Sequence, residues 1–430
     1  MIKIKQLYLW LIVLSATITY GINFFHSDNI FYYNTYIQRQ FGNAVTINAF
    51  TLLLLSGLIL FPRWQSKNIK NIFSGLLIFS CISLIIPNKQ DLQLSVIGIY
   101  ALLKYCIFFC IITSVYSLEL YKEYIGQGFK IALLFETIGG ILQVFYSIKI
   151  PFITSWSTDS IRSGLPRMAG TFSSGPDLAL FISFLLVYFW IEYLLRGRKE
   201  MLKYILISLF DLWFAGSRTM IVVSALVYLI ILLQKYKRNC PKKIIIFLGI
   251  LITASMFTTT SLFRMLFIEN NIFDMLSTRL VHWVMAFNII KNNWFLGVGL
   301  NNSVSYTLLN PDLVKNAYVN SLEGIGFYFT NPIHNSILIM FCELGILGGT
   351  IYLFIYIKMM ITSLKAILKR KVNNMSYDLA DYMFVLCESL VLFVYALQGW
   401  GVLKEYAWIM IILVYAYFYM ITINKSNEVK

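Results

Sequence analysis

The sequence predicts an all-α protein that crosses a membrane many times, and three observations lead to this prediction. Of its 430 residues, 59% are hydrophobic and only 13% are charged, and the mean hydropathy is +0.72. These values lie far outside the balance of a soluble globular domain, so the bilayer is the expected solvent. Apolar runs of about 18 residues, long enough to cross the hydrocarbon core, recur along most of the chain. We therefore predict about twelve transmembrane helices and exclude a soluble enzyme with one anchor.

The predicted spans follow the apolar runs in a single integral membrane domain covering residues 1–430. They lie near residues 5–25, 44–61, 71–87, 92–117, 129–148, 177–195, 201–216, 218–234, 244–262, 334–357, 380–398 and 405–423. The first run is too long for the apolar part of a signal peptide, so we interpret it as a retained helix.

Basic residues predict the orientation of these spans. If the N-terminus is inside, most of the 35 Lys and Arg residues fall in short loops on the inner side. The positive-inside rule then places both termini in the cytoplasm. The same rule accounts for the net charge of +15, so we expect no nucleic-acid partner.

The longest outer segment on this topology is residues 263–333, between predicted transmembrane helices 9 and 10. It is far longer than a connection requires, and such loops are usually functional or disordered. Because it contains tryptophans and apolar residues at helical spacing, we expect a partly helical extracytoplasmic loop that folds against the membrane face.

A histidine lies where this loop enters the tenth predicted span, in the sequence NPIHNS at 331–336. Asn331 is a plausible N-cap and Pro332 suits a first helical turn, which places His334 in the opening turn of a transmembrane helix. The helix dipole disfavours imidazolium there, and a neutral imidazole can accept a proton as a general base. The alternative is an interfacial histidine that only bonds to the loop.

Three arginines, Arg167, Arg218 and Arg279, are predicted on the outer side. Arg218 begins the eighth span, and Arg279 follows Thr278, a possible N-cap. A cation at a helix N-terminus opposes the helix dipole, and a cation outside opposes the positive-inside bias, so a nearby anion would favour both placements. Forked guanidinium contacts suit the two phosphates of a diphosphate. The alternative for Arg218 is snorkelling to headgroup phosphates.

Further candidates surround Arg279 in the sequence. Trp283 shares its helical face, whereas His282 lies one step off that face and is interpreted as structural. Gly297 and Gly299 permit a tight turn or close backbone approach.

Charged residues inside predicted spans are Lys104, Glu136, Asp211 and Glu388. Such residues are costly unless they face the bundle interior. We interpret Lys104 as paired with one of the three acids in a structural contact.

Several chemistry-bearing motifs are absent. The sequence contains no H-E-x-x-H, no C-x-x-C, no D-x-D and no G-x-x-x-x-G-K-[ST], and it has only three histidines. We therefore expect neither a metal ion nor another cofactor.

Four stretches from about residue 160 onward resemble the O-antigen ligase and polymerase superfamily of bacterial envelope polysaccharide enzymes. They are RMAGTF at 167–172, GSRT at 216–219, R-x-x-x-W-x-x-A at 279–286 with GVG at 297–299, and His334-Asn335 followed after nine residues by Gly345 and then Gly348. The last stretch fits the ligase-associated pattern H-[NSQ]-x9-G-x-x-[GTY]. Trp294 departs from the family, which commonly has proline before the glycine pair.

The resemblance implies a GT-C-like fold in the bacterial inner membrane and transfer of a glycan from undecaprenyl diphosphate to a sugar hydroxyl on the extracytoplasmic face. Catalysis would involve His334, Arg279 and Arg218; the substrate-binding residues would be Arg167, Asn335, Trp283, Gly297 and Gly299. The implied partners are undecaprenyl-diphosphate-linked glycans, the lipid bilayer, and flippase and chain-length regulator proteins.

Three alternatives remain beside polymerisation of O-antigen or capsular repeat units, which the four stretches together favour. A ligase that transfers polysaccharide to lipid A core shares the motifs and differs in its acceptor. A lipid-linked-glycan flippase or transporter also has about twelve spans but predicts short outer loops. A non-catalytic membrane scaffold predicts that the outer arginines are scattered.

Overall fold

The structure, a computed structural model, describes residues 2–18, 23–26, 46–61, 72–84, 92–146, 161–162, 165–172, 174–236, 272–310, 313, 333–373, 379–399 and 401–428. Within these ranges there are thirteen α-helices: α1 (Ile2–Ile18), α2 (Ala49–Leu60), α3 (Ile72–Ser83), α4 (Leu92–Val115), α5 (Leu118–Tyr146), α6 (Gly175–Leu194), α7 (Leu202–Ala215), α8 (Arg218–Tyr236), α9 (Ile272–Asn292), α10 (Ser303–Leu309), α11 (Ser336–Asn373), α12 (Leu379–Gln398) and α13 (Glu405–Glu428). There are also two 3-10 helices, η1 (Lys199–Met201) and η2 (Gly401–Leu403). Two short antiparallel pairs join β1 (Asn23–His26) to β2 (Thr46–Asn48) and β3 (Ile161–Arg162) to β4 (Leu165–Pro166).

The predicted all-α polytopic membrane class is confirmed. Eleven of the twelve predicted spans overlap a helix, and the remaining one, 244–262, lies outside the described residues. The predicted bounds are wrong at residues 23–25 of the first span and 46–48 of the second, which belong to β1 and β2. Within the described ranges, seven helices are long and apolar enough to cross a membrane, namely α4, α5, α6, α8, α11, α12 and α13. Because α1, α2, α3 and α7 have only 17, 12, 12 and 14 residues, the total of about twelve spans stays a prediction.

The long loop predicted at 263–333 is partly helical, as expected. Helices α9 and α10 lie within it, while residues 263–271, 311–312 and 314–332 are outside the described part of the chain. Its position outside the membrane stays a prediction.

Helix α6 occupies the centre of the bundle. Pro176 lies in its first turn, where the missing N–H has no intrahelical partner to lose. Almost every α6 residue is buried, and the helix contacts α5, α7, α8 and α12. A helix that is apolar on all sides is expected to be enclosed on all sides. The enclosure of α6 positions the α7–α8 hairpin beside α12.

Ion pairs join three helices at one end of the bundle, here called the charged end and defined by Lys122, Glu192, Arg196 and Asp381. Arg196 pairs with Glu192 and Asp381, and Lys122 also pairs with Asp381. The Tyr417 hydroxyl donates to Asp381 at 2.8 Å. Burial alone lowers the pKa of the Arg196 guanidinium, but its interactions with Tyr417 and the two carboxylates outweigh burial and raise that pKa. The guanidinium therefore stays charged and links α6, α12 and α13, while Lys122 adds α5 through Asp381.

Helix α11 is interrupted at Gly345, where φ is 64° and ψ is −165°. In a continuous helix, the carbonyl of Cys342 would accept the N–H of Ile346, four residues later. The Ile346 N–H instead donates to the carbonyl of Trp294 at 2.8 Å. The break therefore exposes backbone carbonyls of α11 to another segment.

The turn at Gly297–Gly299 occupies this break. The N–H of Val298 donates to the carbonyl of Cys342, and the N–H of Gly299 donates to that of Glu343, each at 2.9 Å. Both glycines have positive φ, 71° and 95°. A Cβ added at Gly297 would lie 2.4 Å from the Glu343 carbonyl. The predicted close backbone approach of the glycine pair is therefore made to α11.

The carboxylate of Glu343 fixes the residues that follow this turn. Glu343 is buried, and its two oxygens accept the Asn301 N–H at 2.8 Å and the Ser303 hydroxyl at 2.7 Å. The Asn302 side-chain amide donates to the Ser95 hydroxyl on α4 at 2.6 Å. The loop after α9 is thus attached to both α11 and α4.

Replacing Gly345 with alanine is expected to destabilise the protein more than replacing Gly197. Both glycines have positive φ, 64° and 74°, so the backbone of an alanine at either position is strained. A Cβ at Gly345 would also lie 2.1 Å from the Phe295 carbonyl oxygen, whereas nothing lies within 4 Å of one at Gly197. Thermal unfolding midpoints of the two purified variants test this difference, and equal shifts would contradict it.

Candidate active site

His334 immediately precedes α11, whose first residue is Ser336. The side-chain oxygen of Asn335 accepts the Leu338 N–H at 3.0 Å, which is the bond of an N-cap. The predicted N-cap at Asn331 is therefore wrong, because the helix begins at Ser336 and not directly after Asn331. Asn331 itself lies outside the described residues. His334 sits in the entry to the helix and not in its first turn.

A second histidine contacts His334. The Nδ1 atoms of His282 and His334 are 3.1 Å apart, and the two rings are parallel to within 8° with centroids 5.0 Å apart. His282 belongs to α9 and is buried, at 2% exposure, while His334 is half-buried. His282 therefore contacts the predicted base directly, whereas the sequence pattern indicated a structural residue. The available signal was the position of His282 within the family-like stretch 279–286.

Arg279 belongs to α9, but the predicted helix start is wrong. Helix α9 begins at Ile272, so Arg279 lies beyond the first turn and Thr278 is not an N-cap. The side chain of Arg279 is outside the described part of the structure. Its contact with a diphosphate stays a prediction.

The turn between α7 and α8 brings two of the predicted arginines to one place. Gly216 ends α7 in the left-handed conformation, with φ of 66°. The guanidinium of Arg167 donates to the carbonyl of Gly216 at 3.0 Å, and the N–H of Met168 donates to that of Phe214 at 3.0 Å. Arg218 is the first residue of α8 and is exposed. Arg167 and Arg218 therefore flank the same turn, as the diphosphate hypothesis requires.

Polar side chains of α5 hold the loop that carries Arg167. The carboxylate of Glu136 accepts both the hydroxyl and the N–H of Thr171. The Gln143 side-chain oxygen accepts the N–H groups of Ala169 and Gly170 at 2.9 and 3.1 Å. Glu136 and Gln143 are buried, so the loop conformation depends on hydrogen bonds made inside the bundle.

A series of contacts links the arginine turn to His334. The Thr219 hydroxyl on α8 donates to the side-chain oxygen of Gln398 at 2.6 Å. The next residue, Gly399, accepts the Ser336 hydroxyl at 2.8 Å. These segments form the site end of the bundle, defined by residues 216–219, 334–336 and 398–399. Gln398 is 17 residues beyond Asp381 on α12, so the site end is about 26 Å from the charged end.

Lys104 does not pair with any of the three acids proposed from the sequence. Its ammonium lies 2.6 Å from a carboxylate oxygen of Glu405, at the start of α13. Glu136, Asp211 and Glu388 are fully buried and have no described contact with Lys104. The correction arises because α4 packs against the start of α13, an arrangement that hydropathy does not encode.

The remaining predicted substrate-binding residues occupy different environments. Trp283 is exposed, at 43%, and is accessible to a ligand. Gly297 and Gly299 have a structural role, since their backbones pack on α11. Asn335 also has one, since its side chain caps α11. Substrate contact by these four residues stays a prediction.

The described residues include no group of three or more His, Cys, Asp or Glu side chains that could hold a metal ion. The expected independence from metals stays a prediction.

Asn335→Ala is expected to destabilise the protein by about 1 kcal/mol, because the Leu338 N–H loses its acceptor. Asn335→Asp keeps an oxygen at the cap and should retain stability and glycan assembly. The measurements are the thermal unfolding midpoint and the surface glycan of complemented cells. An Asp variant that folds normally but makes no glycan would instead support direct substrate contact by Asn335.

Comparison with known families adds to this geometry. Residues 203–353 match the family model described as O-Antigen ligase. The matched segment contains Arg218, Arg279, the Gly297–Gly299 turn and His334, whereas Arg167 precedes it. No curated protein matches the chain. This match supports the resemblance of the chain to the O-antigen polymerase and ligase superfamily.

Proposed function

We propose that this protein polymerises undecaprenyl-diphosphate-linked oligosaccharide repeat units of O-antigen or capsular polysaccharide. The family match supports a membrane enzyme that acts on lipid-linked glycans. The observation that carries the proposed chemistry is the His282–His334 contact, which lies at the same end of the bundle as the turn flanked by Arg167 and Arg218.

His334 is the general base in this proposal. Two Nδ1 atoms 3.1 Å apart share one proton. When His334 donates its Nδ1–H to His282, its Nε2 carries a lone pair and can accept the proton of the acceptor hydroxyl. The imidazolium that forms keeps its Nδ1–H bond to His282. His282 is thus a positioning residue that holds the reactive tautomer, as a third group does in catalytic triads.

The arginines stabilise the leaving group. The acceptor oxygen forms a bond to the anomeric carbon, the bond from that carbon to the diphosphate oxygen breaks, and the proton moves to Nε2 of His334. Undecaprenyl diphosphate leaves as an anion, and Arg218, Arg279 and Arg167 bind its phosphates through guanidinium N–H groups. A single displacement of this kind inverts the anomeric centre and uses neither a metal ion nor another cofactor.

The site end faces the extracytoplasmic side of the bacterial inner membrane, and both termini are cytoplasmic. This orientation follows from the basic loops at the opposite end. It gives the site access to lipid-linked glycans that a flippase has already moved across, and chain-length regulator proteins would act on its product.

Transfer of polysaccharide to lipid A core is the second candidate function, because the matching family model is described as O-Antigen ligase. The two reactions share donor, leaving group and base. The two reactions differ only in the hydroxyl that attacks, so an analysis of their products distinguishes a polymerase from a ligase.

His334→Ala is expected to abolish glycan assembly, because no group remains to accept the hydroxyl proton. The measurement is the length and anchor of surface polysaccharide in a deletion strain complemented with each variant, with membrane expression verified. Single repeats on lipid A core indicate a polymerase, whereas chains of normal length on undecaprenyl diphosphate indicate a ligase. His26→Ala, which removes the third histidine of the chain, is the matched control. A wild-type ladder from His334→Ala would remove this residue from the mechanism.

His282→Phe is expected to lower kcat by about 10²-fold with little change in KM, because the acceptor for the Nδ1–H of His334 is lost. His282→Asn restores a side-chain acceptor and should recover part of the rate. Both variants are compared in turnover assays with purified protein. Equal rates for the Phe and Asn variants would contradict the positioning role.

Arg218→Lys is expected to lower kcat by about tenfold or more, because an ammonium keeps the charge but not the forked contact. Arg198→Lys is the control, since Arg198 is a half-exposed arginine near the charged end. The same turnover assay compares the two. An unchanged kcat in Arg218→Lys would contradict the diphosphate contact and favour the alternative, in which Arg218 only contacts headgroup phosphates of the bilayer.

A further inference from the structure

A cavity of about 90 Å³ lies between α4, α11, α13, η2 and the loop after α9. Its lining includes Tyr100, Lys104, Asn301, Glu343, Glu405 and Trp408. Since about 10–15 Å³ of such volume is enough for one water, the cavity holds several waters or the polar edge of one sugar ring. None of these six residues belongs to the His334 and arginine site described above.

The charged pair in the cavity wall leaves part of its bonding capacity unused. The side chains of Lys104 and Glu405 are 10% and 13% exposed and lie 2.6 Å apart. The other Glu405 oxygen accepts the Asn48 amide, and the Lys104 ammonium lies 3.5 Å from the Thr51 hydroxyl. An ammonium has three donors and a carboxylate about four acceptor positions. Both groups can therefore bond to a hydroxylated ligand without breaking their own contact.

Aromatic rings complete the wall. The Lys104 ammonium lies 5.2 Å from the centroid of the Tyr100 ring, and Tyr105 stacks on Trp408 with centroids 5.2 Å apart. Sugars present hydroxyl groups at the ring edge and C–H groups at the ring face. Charge-assisted hydrogen bonds suit the edge, and aromatic surfaces suit the face.

The charges of the cavity favour a neutral ligand over a diphosphate. Its wall contains one ammonium, from Lys104, and two carboxyl groups, from Glu343 and Glu405. This wall does not offer the excess positive charge that phosphates require. The arginine turn at 216–219 offers that charge, so the two sites suit different parts of one lipid-linked glycan.

The cavity is a neighbour of the His334 segment. Val402 lines the cavity, and its N–H donates to the Ser336 hydroxyl at 3.2 Å. Met340, also in the lining, is four residues beyond Ser336, or about 6 Å along the helix. The cavity therefore lies within about two helical turns of the His334 segment, close enough for one substrate to contact both.

We propose that this cavity binds one neutral sugar residue of the glycan substrate, with Lys104 donating to and Glu405 accepting from its hydroxyl groups. The proposal rests on the proposed function, since it assigns the cavity to the same substrate. On this proposal, the charge of Lys104 inside a predicted span serves to bind the sugar, and charged residues inside a membrane commonly have functional roles.

The test is direct binding of a lipid-free probe to the full-length protein in detergent. The probe is the single repeat-unit oligosaccharide released from the host's own surface polysaccharide, without lipid or diphosphate. Saturation-transfer NMR and titration calorimetry measure its binding to wild type, to Lys104→Met/Glu405→Gln and to Lys104→Glu/Glu405→Lys. The first double variant removes both charges together, and the second restores an ion pair with donor and acceptor exchanged. Lys122→Met, which removes a lysine from an ion pair at the charged end, is the matched control.

Wild type and Lys122→Met are expected to bind the oligosaccharide equally. Both double variants should bind at least about tenfold more weakly, because the charged hydrogen bonds to the sugar are lost or reversed. Thermal unfolding identifies which variants remain folded, and the charge exchange provides the test if the neutral variant does not fold.

Two outcomes overturn the proposal. One is a folded double variant whose affinity is within about twofold of wild type; the other is a wild-type protein that builds surface glycan but does not bind the oligosaccharide. Failure of the proposed function has a different readout. It gives an unchanged polysaccharide ladder in cells complemented with His334→Ala, whatever the result of the oligosaccharide binding.

Discussion

Backbone hydrogen bonds between the turn after α9 and the break in α11 position the rest of the site. At Gly345, α11 lacks backbone hydrogen bonds that a continuous helix would make within itself. Backbone groups of segment 294–299 form hydrogen bonds with α11 instead. Residues 282 and 334 are in contact, and so are residues 294 and 346, so twelve residues separate the two contacts on each segment. The C-terminal half of α9 is therefore held alongside the first part of α11 at both of its ends. The attachment at residues 294–299 therefore helps to hold His282 beside His334.

The residues that resemble the family motifs contribute in two ways. Some fix the backbone, and others carry the side chains of the proposed chemistry. Gly297 and Gly345 allow backbones to meet where a Cβ would overlap other atoms, and Gly299 supplies a positive φ of 95°. Asn335 caps α11, and the loop at 167–172 is held by Glu136 and Gln143. Arg167, Arg218 and His334 are then carried on segments whose backbones are fixed by these neighbours. A reactive group held in this way loses little conformational freedom when a substrate binds.

Ion pairs lie near both ends of α12. At the charged end, Arg196 and Lys122 share the carboxylate of Asp381; near the other end, Lys104 pairs with Glu405. Removing a charge from water is costly in a low-dielectric interior, so pairs persist where several helices supply partners. The charged end joins helices, whereas the pair at Lys104 borders a cavity.

The sequence by itself determined the all-α polytopic class, the approximate course of eleven of the twelve predicted spans and the close backbone approach at the glycine pair, because hydropathy and turn preference are local properties of the chain. It misplaced the start of α11, since Asn331 and Asn335 both suit a cap, and the start of α9. Only the tertiary structure decided that Lys104 pairs with Glu405, 301 residues away, and that His282 meets His334, 52 residues away. Periodicity identifies which face of a helix is apolar but does not say which other helix packs against it. The partners of polar side chains between helices therefore follow from packing alone.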